Sequence, residues 1–400
     1  MVVAEAEDQE ATLRVRGYDE KRDWARAEAL ERRCQVGPSS DRISIFIDTL
    51  GDPICRIRNS PSYIMLVAEL GKDLVGVIQG TIKVVAVPRP PPRDKARAGY
   101  ILGLRVLPEH RCRGIASALV RSLEQWFVSN HVDFSYMATE ETNLPSLRLF
   151  VGRLGYVRFR TPSIVVYPVN SRRCCFGYDR TPSNVDIRRL ETDSVESIYR
   201  RFVSTTYDFF PDDIDRILKS KLTLGTWAAH FRDDVWQEDG IGSASWRAPG
   251  TWAVLSVWDT SRVFKLRLGN APLSFRLLAR CKRVINNILS CIGMQGIPDV
   301  FSPFGFYFIY GIHGEGRSSG ELIKALCRHV QGMAGESEEC RALVTEVGAE
   351  ETGIQEAPRW KSLSCPRDVW CIKSLKPEEE QVLPLSSTPV RALFVDPREV

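Results

Sequence analysis

Leu104-Arg105-Val106-Leu107-Pro108-Glu109-His110-Arg111-Cys112-Arg113-Gly114-Ile115-Ala116 is the stretch that decides the fold of this chain. Leu104 and Val106 end a β-rich run that begins at Tyr100, and Pro108 with the charged residues after it forces a turn. Past Gly114, residues Ile115, Leu119, Leu123, Trp126 and Phe127 recur on one helical face, so the sequence predicts strand, turn and a helix packed on a sheet. A helix start leaves backbone amides unpaired and carries the positive end of the helix dipole; with Arg111 and Arg113 beside it, this turn is suited to a pyrophosphate. Gly114 and Ala116 are small enough for phosphate oxygens to approach the backbone.

Working outward, strands and helices alternate from Leu13 to Pro168, which favours an α/β arrangement. The expected elements are a strand at Leu13–Tyr18, a helix from Trp24 to Cys34 stopped by Gly37, a second helix near Ile43–Leu50, and a hairpin of Tyr63–Leu70 with Leu74–Val87. Pro88–Ala98, rich in proline, reads as an exposed loop. After the Gly114–Ser129 helix come a strand at Phe134–Thr139, a helix at Asn143–Leu154, and strands at Tyr156–Phe159 and Ser163–Tyr167 that complete the sheet. Ser171–Asn184 reads as a linker. The order then recurs: a strand at Val185–Leu190, a helix start with a capping box at Asp193 and Glu196, a short helix within Pro211–Leu218, and strands at Thr226–Phe231 and Trp252–Trp258 joined by the polar connection Arg232–Gly250. YILGLRV, GIASALV and FSYMATE in the first half are echoed by FYFIYGI, GELIKAL and ALVTEVG in the second, which implies a duplicated domain. The expected architecture is α/β (α+β): a mostly antiparallel mixed sheet flanked by helices at 13–170, a linker at 171–184, a second, degenerate copy at 185–376, and tails at 1–12 and 377–400.

The composition supports a folded chain. With 54 basic and 50 acidic residues among 400, the net charge of +4 carries no nucleic-acid signature, and 44% hydrophobic content excludes a mainly disordered protein. The 11 cysteines include no CxxC pair and only 5 histidines are available, so no metal is expected and the thiols read as reduced. Met1–Thr12 lacks the pattern of a secretory leader, and the apolar run Ile297–Ile312 is broken by Pro298, Asp299 and Pro303, so neither secretion nor a membrane span is expected. A nuclear or cytoplasmic protein follows from these readings.

The R-x-x-G-x-A pattern of Arg111, Gly114 and Ala116, set between strand and helix, resembles the signature of the Gcn5-related N-acetyltransferase (GNAT) superfamily, and residues 13–168 follow that fold in order. DPICRIRNSPSYIMLVAE (Asp52–Glu69), RTPSI (Arg160–Ile164), LTLGTW (Leu222–Trp227), WAVLSVW (Trp252–Trp258) and FVDPRE (Phe394–Glu399) are similar to the plant HOOKLESS-type probable N-acetyltransferases. That resemblance implies acetyl-CoA as cosubstrate, an amine acceptor that is a protein lysine or a small molecule, and a part in ethylene- and auxin-controlled apical hook formation. It further implies that backbone groups of Leu104 to Val106, including Arg105, pair with the pantetheine arm, that the amides of Arg111, Cys112, Arg113, Gly114, Ile115 and Ala116 hold the pyrophosphate, and that Asn143 lies near the thiol end. Phe150 stands where many members carry a tyrosine that protonates the leaving thiolate, and the spacing from Phe150 to Gly155 is one residue longer than usual, so a tyrosine acid is not expected there; Tyr156 reads as core.

Transfer to an amine needs a group to take its proton. Glu140 and Glu141, at the exit of the Phe134–Thr139 strand, are the candidate bases, with His110 a further possibility and Cys112 unneeded for direct transfer. In the second copy one register aligns Glu315 with Arg111, Ser318 with Gly114 and Gly320 with Ala116, which sets an acid where a phosphate would sit; a shifted register puts Arg317 and Gly320 at the R-x-x-G positions but Leu322 in place of the small residue, so the motif is damaged in both. The alternative to an enzyme is an acetyl-CoA-binding sensor or scaffold that kept the fold without turnover.

Overall fold

The computed structural model describes residues 12–34, 44–87, 95–169, 184–234, 250–269, 302–347, 364–365, 367–376 and 392–400. The expected N-terminal tail through residue 11, the Gly37 stop, the prolines of 88–94, the linker residues 171–183, most of the 232–250 connection and residues 377–391 lie outside them.

Runs of alternating and β-branched residues build two sheets. The first has seven strands in the order β1 (Leu13–Gly17), β3 (Ser62–Leu70), β4 (Asp73–Ala86), β5 (Lys95–Val106), β6 (Phe134–Glu140), β16 (Asp368–Ser374) and β7 (Val157–Arg160). The second has six, in the order β8 (Ser163–Pro168), β15 (Cys340–Val347), β14 (Gly305–Glu315), β12 (Trp252–Asp259), β11 (Thr223–Phe231) and β9 (Val185–Arg189). Neighbours within both sheets are antiparallel except β5–β6 and β14–β15. Each parallel pair is joined by a helix, α2 (Ile115–Ser129) in the first sheet and Ser319–Glu336 in the second.

The duplication holds in register. Parallel pairing ends at Ile101↔Met137 in one sheet and at Ile309↔Thr345 in the other. The neighbouring ladder carries a bulge in both, between Val77 and Gln79 and between Val254 and Ser256. Two residues past the last parallel pair stand Gly103 and Gly311, each with φ +61°, a left-handed conformation that a side chain would strain.

Sequence and structure part company over connection. The strand at Ser163–Pro168, expected to complete the first sheet, crosses to the second, where Val166 pairs with Val344. Its place beside β6 is taken by β16, with Cys371 opposite Met137. The crossing chains are stitched together where Ile164 and Cys365 exchange backbone hydrogen bonds of 2.8 and 3.0 Å. Pro162 lies at the crossing and its carbonyl accepts from the Asp368 amide at 2.8 Å, so the two halves trade one strand each. The stretch 185–376 therefore contributes a strand to the first sheet. Ile43–Leu50, expected as a helix, holds the strand β2 (Ser44–Asp48), paired with β13 (Lys265–Gly269); its β-branched alternation prevails over a short helical pattern. Lys95–Ala98 extends β5 rather than forming a loop. The helix after β9, Thr192–Ile198, is capped at Glu191 rather than by a box at Asp193.

The end of the chain is not a tail. Ala392–Leu393 forms β17, parallel to β10 (Tyr207–Asp208), and Asp396, Arg398 and Glu399 are buried. Lys83 of β4 pairs with Glu399 at 2.7 Å and Asp396 at 3.4 Å, the Tyr136 hydroxyl donates to Glu399 at 2.5 Å, and Arg398 pairs with Asp213 at 2.7 Å. The apolar core between the sheets runs through Val77, Tyr100, Tyr136, Trp370, Val254, Tyr310 and Phe394. A second core lies on the other face of the first sheet, where Leu119, Leu123 and Phe127 of α2 are fully buried against Ile78, Ile101 and Met137. Burying side chains of that size contributes roughly 1.5–3 kcal/mol each and fixes α2, and so the turn before it, on the sheet.

Candidate active site

Beyond Ile101 the strands β5 and β6 separate. From Arg105 to Val106, β5 keeps β4 on one side, with Val77 opposite Arg105 and Gly76 opposite Val106, while its other edge has no strand partner among the described residues. That edge is a wedge-shaped opening whose Leu104 and Val106 carbonyls accept from side chains, Arg105 Nη1 at 3.1 Å and Arg111 Nε at 3.3 Å, rather than from a strand. The chain then turns through a 3₁₀ segment, Pro108–His110, and Arg111 to Gly114 are exposed. Cys112 with φ +62° and Gly114 with φ +80° bend the backbone into the start of α2. A Cβ at Gly114 would meet nothing within 4 Å, so the space in front of the helix start is open. Among the described residues, the amides of Cys112 to Ser117 donate to no backbone carbonyl, and the first return bond of the helix is Ala118 N to Gly114 O at 3.0 Å. Converging unpaired amides at the positive end of a 15-residue helix fit a pyrophosphate.

The other residues singled out from the sequence take varied places. Leu104 and Val106 are half-buried on the open edge, and Arg111 Nε donates to the Val106 carbonyl at 3.3 Å. Arg105 turns to the face away from α2, with Nε 3.4 Å from Glu31 of the helix α1 (Glu20–Arg33). Asn143 caps the helix α3 (Leu144–Arg153), accepting from Ser146 N at 3.4 Å and donating to the Thr139 hydroxyl at 3.0 Å, so it ties that helix to the end of β6. Glu140 and Glu141 diverge. Glu140 shares the sheet face with Tyr136 and Ala138 and accepts from the Thr142 hydroxyl at 3.3 Å, whereas Glu141 is 3.4 Å from Arg367. Phe150 is buried, edge-on to Tyr156 at 5.1 Å between ring centres. Tyr156 is a core residue, its hydroxyl within 2.8 Å of Ser135 Oγ and donating to Glu124 at 2.9 Å.

Three residues that sequence reasoning missed stand on the Glu140 face. Asp368 lies opposite Glu140 across the β6–β16 ladder, and Trp370 lies opposite Ala138. The Trp370 indole N–H donates to Asp368 at 3.1 Å and to Glu346 of β15 at 2.8 Å, joining carboxyl groups from both sheets. Burial, with the Glu140 charge adding to it, pushes the Asp368 carboxyl up to about 7. Burial and the Asp368 charge hold Glu346 well above the usual carboxylate range. No local signal could have found this group, because it exists only after strand exchange.

The equivalent opening in the second sheet is filled by the chain itself. Tyr207, Gly311, Thr345, Glu346, Phe394 and Val395 enclose a narrow pocket there, and the Tyr207 hydroxyl donates to the Ile312 carbonyl, on the edge that matches the open edge of β5. Three residues, Gly316 to Ser318, separate β14 from its helix, against eight, Leu107 to Gly114, between β5 and α2. The shorter turn leaves no cradle.

The model of the Acetyltransferase (GNAT) family matches residues 23–156. The chain is 42% identical to a probable N-acetyltransferase HLS1-like protein of Arabidopsis thaliana over 97% of its own length and 99% of that protein's. It is likewise 42% identical to probable N-acetyltransferase HLS1 of the same plant, over 96% and 99% of the two chains. In fold it is similar to Saccharomyces cerevisiae N-myristoyltransferase solved with myristoyl-CoA, with a TM-score of 0.55, 10% identity, and coverage of 90% and 79%. With an open wedge and a helix-start cradle in one sheet, and near-complete alignment to curated relatives, the chain belongs to the GNAT family of acyltransferases, among the HLS1-type probable N-acetyltransferases.

Proposed function

We propose that the protein transfers the acetyl group of acetyl-CoA to an amine, using only its first sheet. The observation that carries this is the contrast between the two openings: the first is bordered by an unpaired strand edge and unpaired helix-start amides, and the second is stopped by Tyr207 and Phe394. When bound, acetyl-CoA supplies an activated acetyl group. Backbone groups of Leu104 and Val106 extend the sheet along the pantetheine, amides from Cys112 to Ala116 bind the pyrophosphate, the Arg111 amide being bonded to the Pro108 carbonyl at 3.4 Å, and the Arg111 and Arg113 side chains add charge. The acceptor amine enters from the face opposite α2, where Glu140 and Asp368 stand, and loses its proton to that acidic pair; a group titrating near 7 is suited to the task. Phe150 has no proton to give, so the departing thiolate is protonated from solvent.

As parts of the same proposal, the amine belongs to a protein lysine or a small molecule, and the reaction serves ethylene- and auxin-controlled hook development in the nucleus or cytoplasm. Phe150 also favours a second reading, a sensor that binds acetyl-CoA without turnover. Calorimetric titration with acetyl-CoA, run beside thiol release on a panel of peptides and small amines, separates the two. Binding with release supports transfer, binding alone supports the sensor, and absence of binding overturns both.

A further inference from the structure

Asp52–Ser60 packs on the face of the first sheet opposite α2, anchored where Gln79 Nε2 donates to the Pro53 carbonyl at 2.8 Å and where Cys55 and Ile57 enter the core. The exposed cation of this segment, Arg58, pairs with Asp52. Arg56 does not pair. Its Nε is sealed from solvent, and among the described residues its guanidinium has no hydrogen bond or ion pair; only the Phe264 ring lies over it, 5.7 Å away. The nearby carboxylate, Glu31, already serves Arg105. Burial and the neighbouring Arg105 both pull the Arg56 pKa down, so the charge is held at a cost to folding. Gln79 Oε1 is a second enclosed atom without a partner, and the Gln79 side chain packs against Gly103, where β5 bends away from β6. An unmatched cation and an unmatched acceptor thus flank the opening on the acceptor side. Across it lie Glu140 and Asp368, and the Tyr100 hydroxyl feels both Arg56 and Asp368.

We propose that Arg56, with Arg105 beside it, forms an anion subsite on the acceptor side of the open wedge, and that the acceptor amine therefore carries a carboxylate within a few bonds of its nitrogen. The inference rests on the acetyltransferase reading of that wedge. The ammonium end faces the acidic pair, Gln79 Oε1 accepts an N–H, and the carboxylate pairs with the guanidinium as a charge-assisted, bidentate contact. A free amino acid or an acidic residue in a peptide can supply that carboxylate.

The test needs no turnover. The full-length protein, with coenzyme A added, is titrated with N-acetylglycine and with N-acetylglycinamide, which differ in one negative charge, and separately with N-acetyl-Asp and N-acetyl-Asn peptides capped as amides. In the wild type the carboxylate of at least one pair binds tighter by about tenfold or more; preference in the first pair identifies a free amino acid, and in the second alone an acidic peptide. Arg56→Met reduces the preference to within about twofold, leaves acetyl-CoA affinity unchanged, and raises the thermal midpoint, because an unpaired charge is replaced by an apolar chain of similar reach. No preference in the wild type, a preference that survives Arg56→Met, or a lowered midpoint in that variant overturns the proposal. Loss of acetyl-CoA binding by the wild type defeats the acetyltransferase reading instead, and the carboxylate titration still decides the subsite.

Discussion

Asp368→Asn tests the carboxyl group that strand exchange brings to Glu140. The side chain keeps its shape and its acceptor for the Trp370 indole but loses its charge. In the folded protein burial raises this carboxyl from an ordinary 3.8 to about 7. Because the folded pKa is the higher one, the native state holds a proton that the unfolded chain has released between about pH 4 and pH 7, and stability falls as pH rises through that window. Three pKa units correspond to about 4 kcal/mol, an upper figure because Glu346 relaxes with it. Below pH 4 both states are protonated and the variant should match the wild type; at pH 7.5 it should be the more stable by about 1–4 kcal/mol. Urea unfolding of both proteins at pH 4 and 7.5 reads this directly. A variant less stable than wild type at pH 7.5, or an equal difference at both pH values, refutes the assignment of a destabilised carboxylate at 368. In turnover assays the same variant should lose the acid limb of the kcat profile near pH 7, since the proton acceptor has gone.

Further outcomes follow from other parts of the structure. Gly114→Glu should weaken acetyl-CoA binding more than Arg111→Ala in calorimetry, since it sets a carboxylate and a strained φ before the helix start, whereas Arg111→Ala removes a contact of about 1.5–3 kcal/mol; the reverse order would remove the cradle assignment. Glu140→Gln should lower kcat by roughly 10²-fold with acetyl-CoA affinity intact, and a rate within about twofold of wild type would leave proton removal to Asp368 or water. Lys83→Met leaves Asp396 and Glu399 short of their shared cation and should cost about 3–5 kcal/mol in denaturant unfolding; a loss under about 1 kcal/mol would show that the C-terminal segment is not held by this pair.

What the sequence made legible was local. The hairpin of β3 and β4 and the strand–turn–helix through Gly114 depend on residues close along the chain, where periodicity and turn chemistry speak directly. Ile43–Leu50 failed because a short apolar run fits either period, and pairing with a strand over 200 residues away decides it. Ser163–Pro168 was correctly seen as a strand but set in the wrong sheet, since alternation reports that one face is buried and not against what. Phe394 and Val395 read as part of a tail because their cover, Tyr207 and β14, is contributed by distant chain. Glu140, at a strand exit, was legible; Asp368, Glu346 and Arg56 were not, because each acquires its character from burial among residues that only the fold assembles.

The two halves show why a fold alone does not assign a site. They share the parallel pair, the bulge and the left-handed glycine in register, so the wedge itself is a property of the architecture. Binding is decided by what each copy adds. In the first, an eight-residue turn before α2 leaves the amides from Cys112 to Ser117 clear of any backbone carbonyl. In the second, three residues close the turn, the Tyr207 hydroxyl donates to the Ile312 carbonyl, and Phe394 lines the narrow pocket that remains, its ring edge-on to Tyr310. The same filling segment continues to Glu399, which joins Lys83 and Tyr136 of the first sheet. The closed wedge thus serves as the anchor that holds the end of the chain against the sheet bearing the open one, so closure of one opening and the packing of Lys83 and Tyr136 in the other sheet are two consequences of a single packed segment.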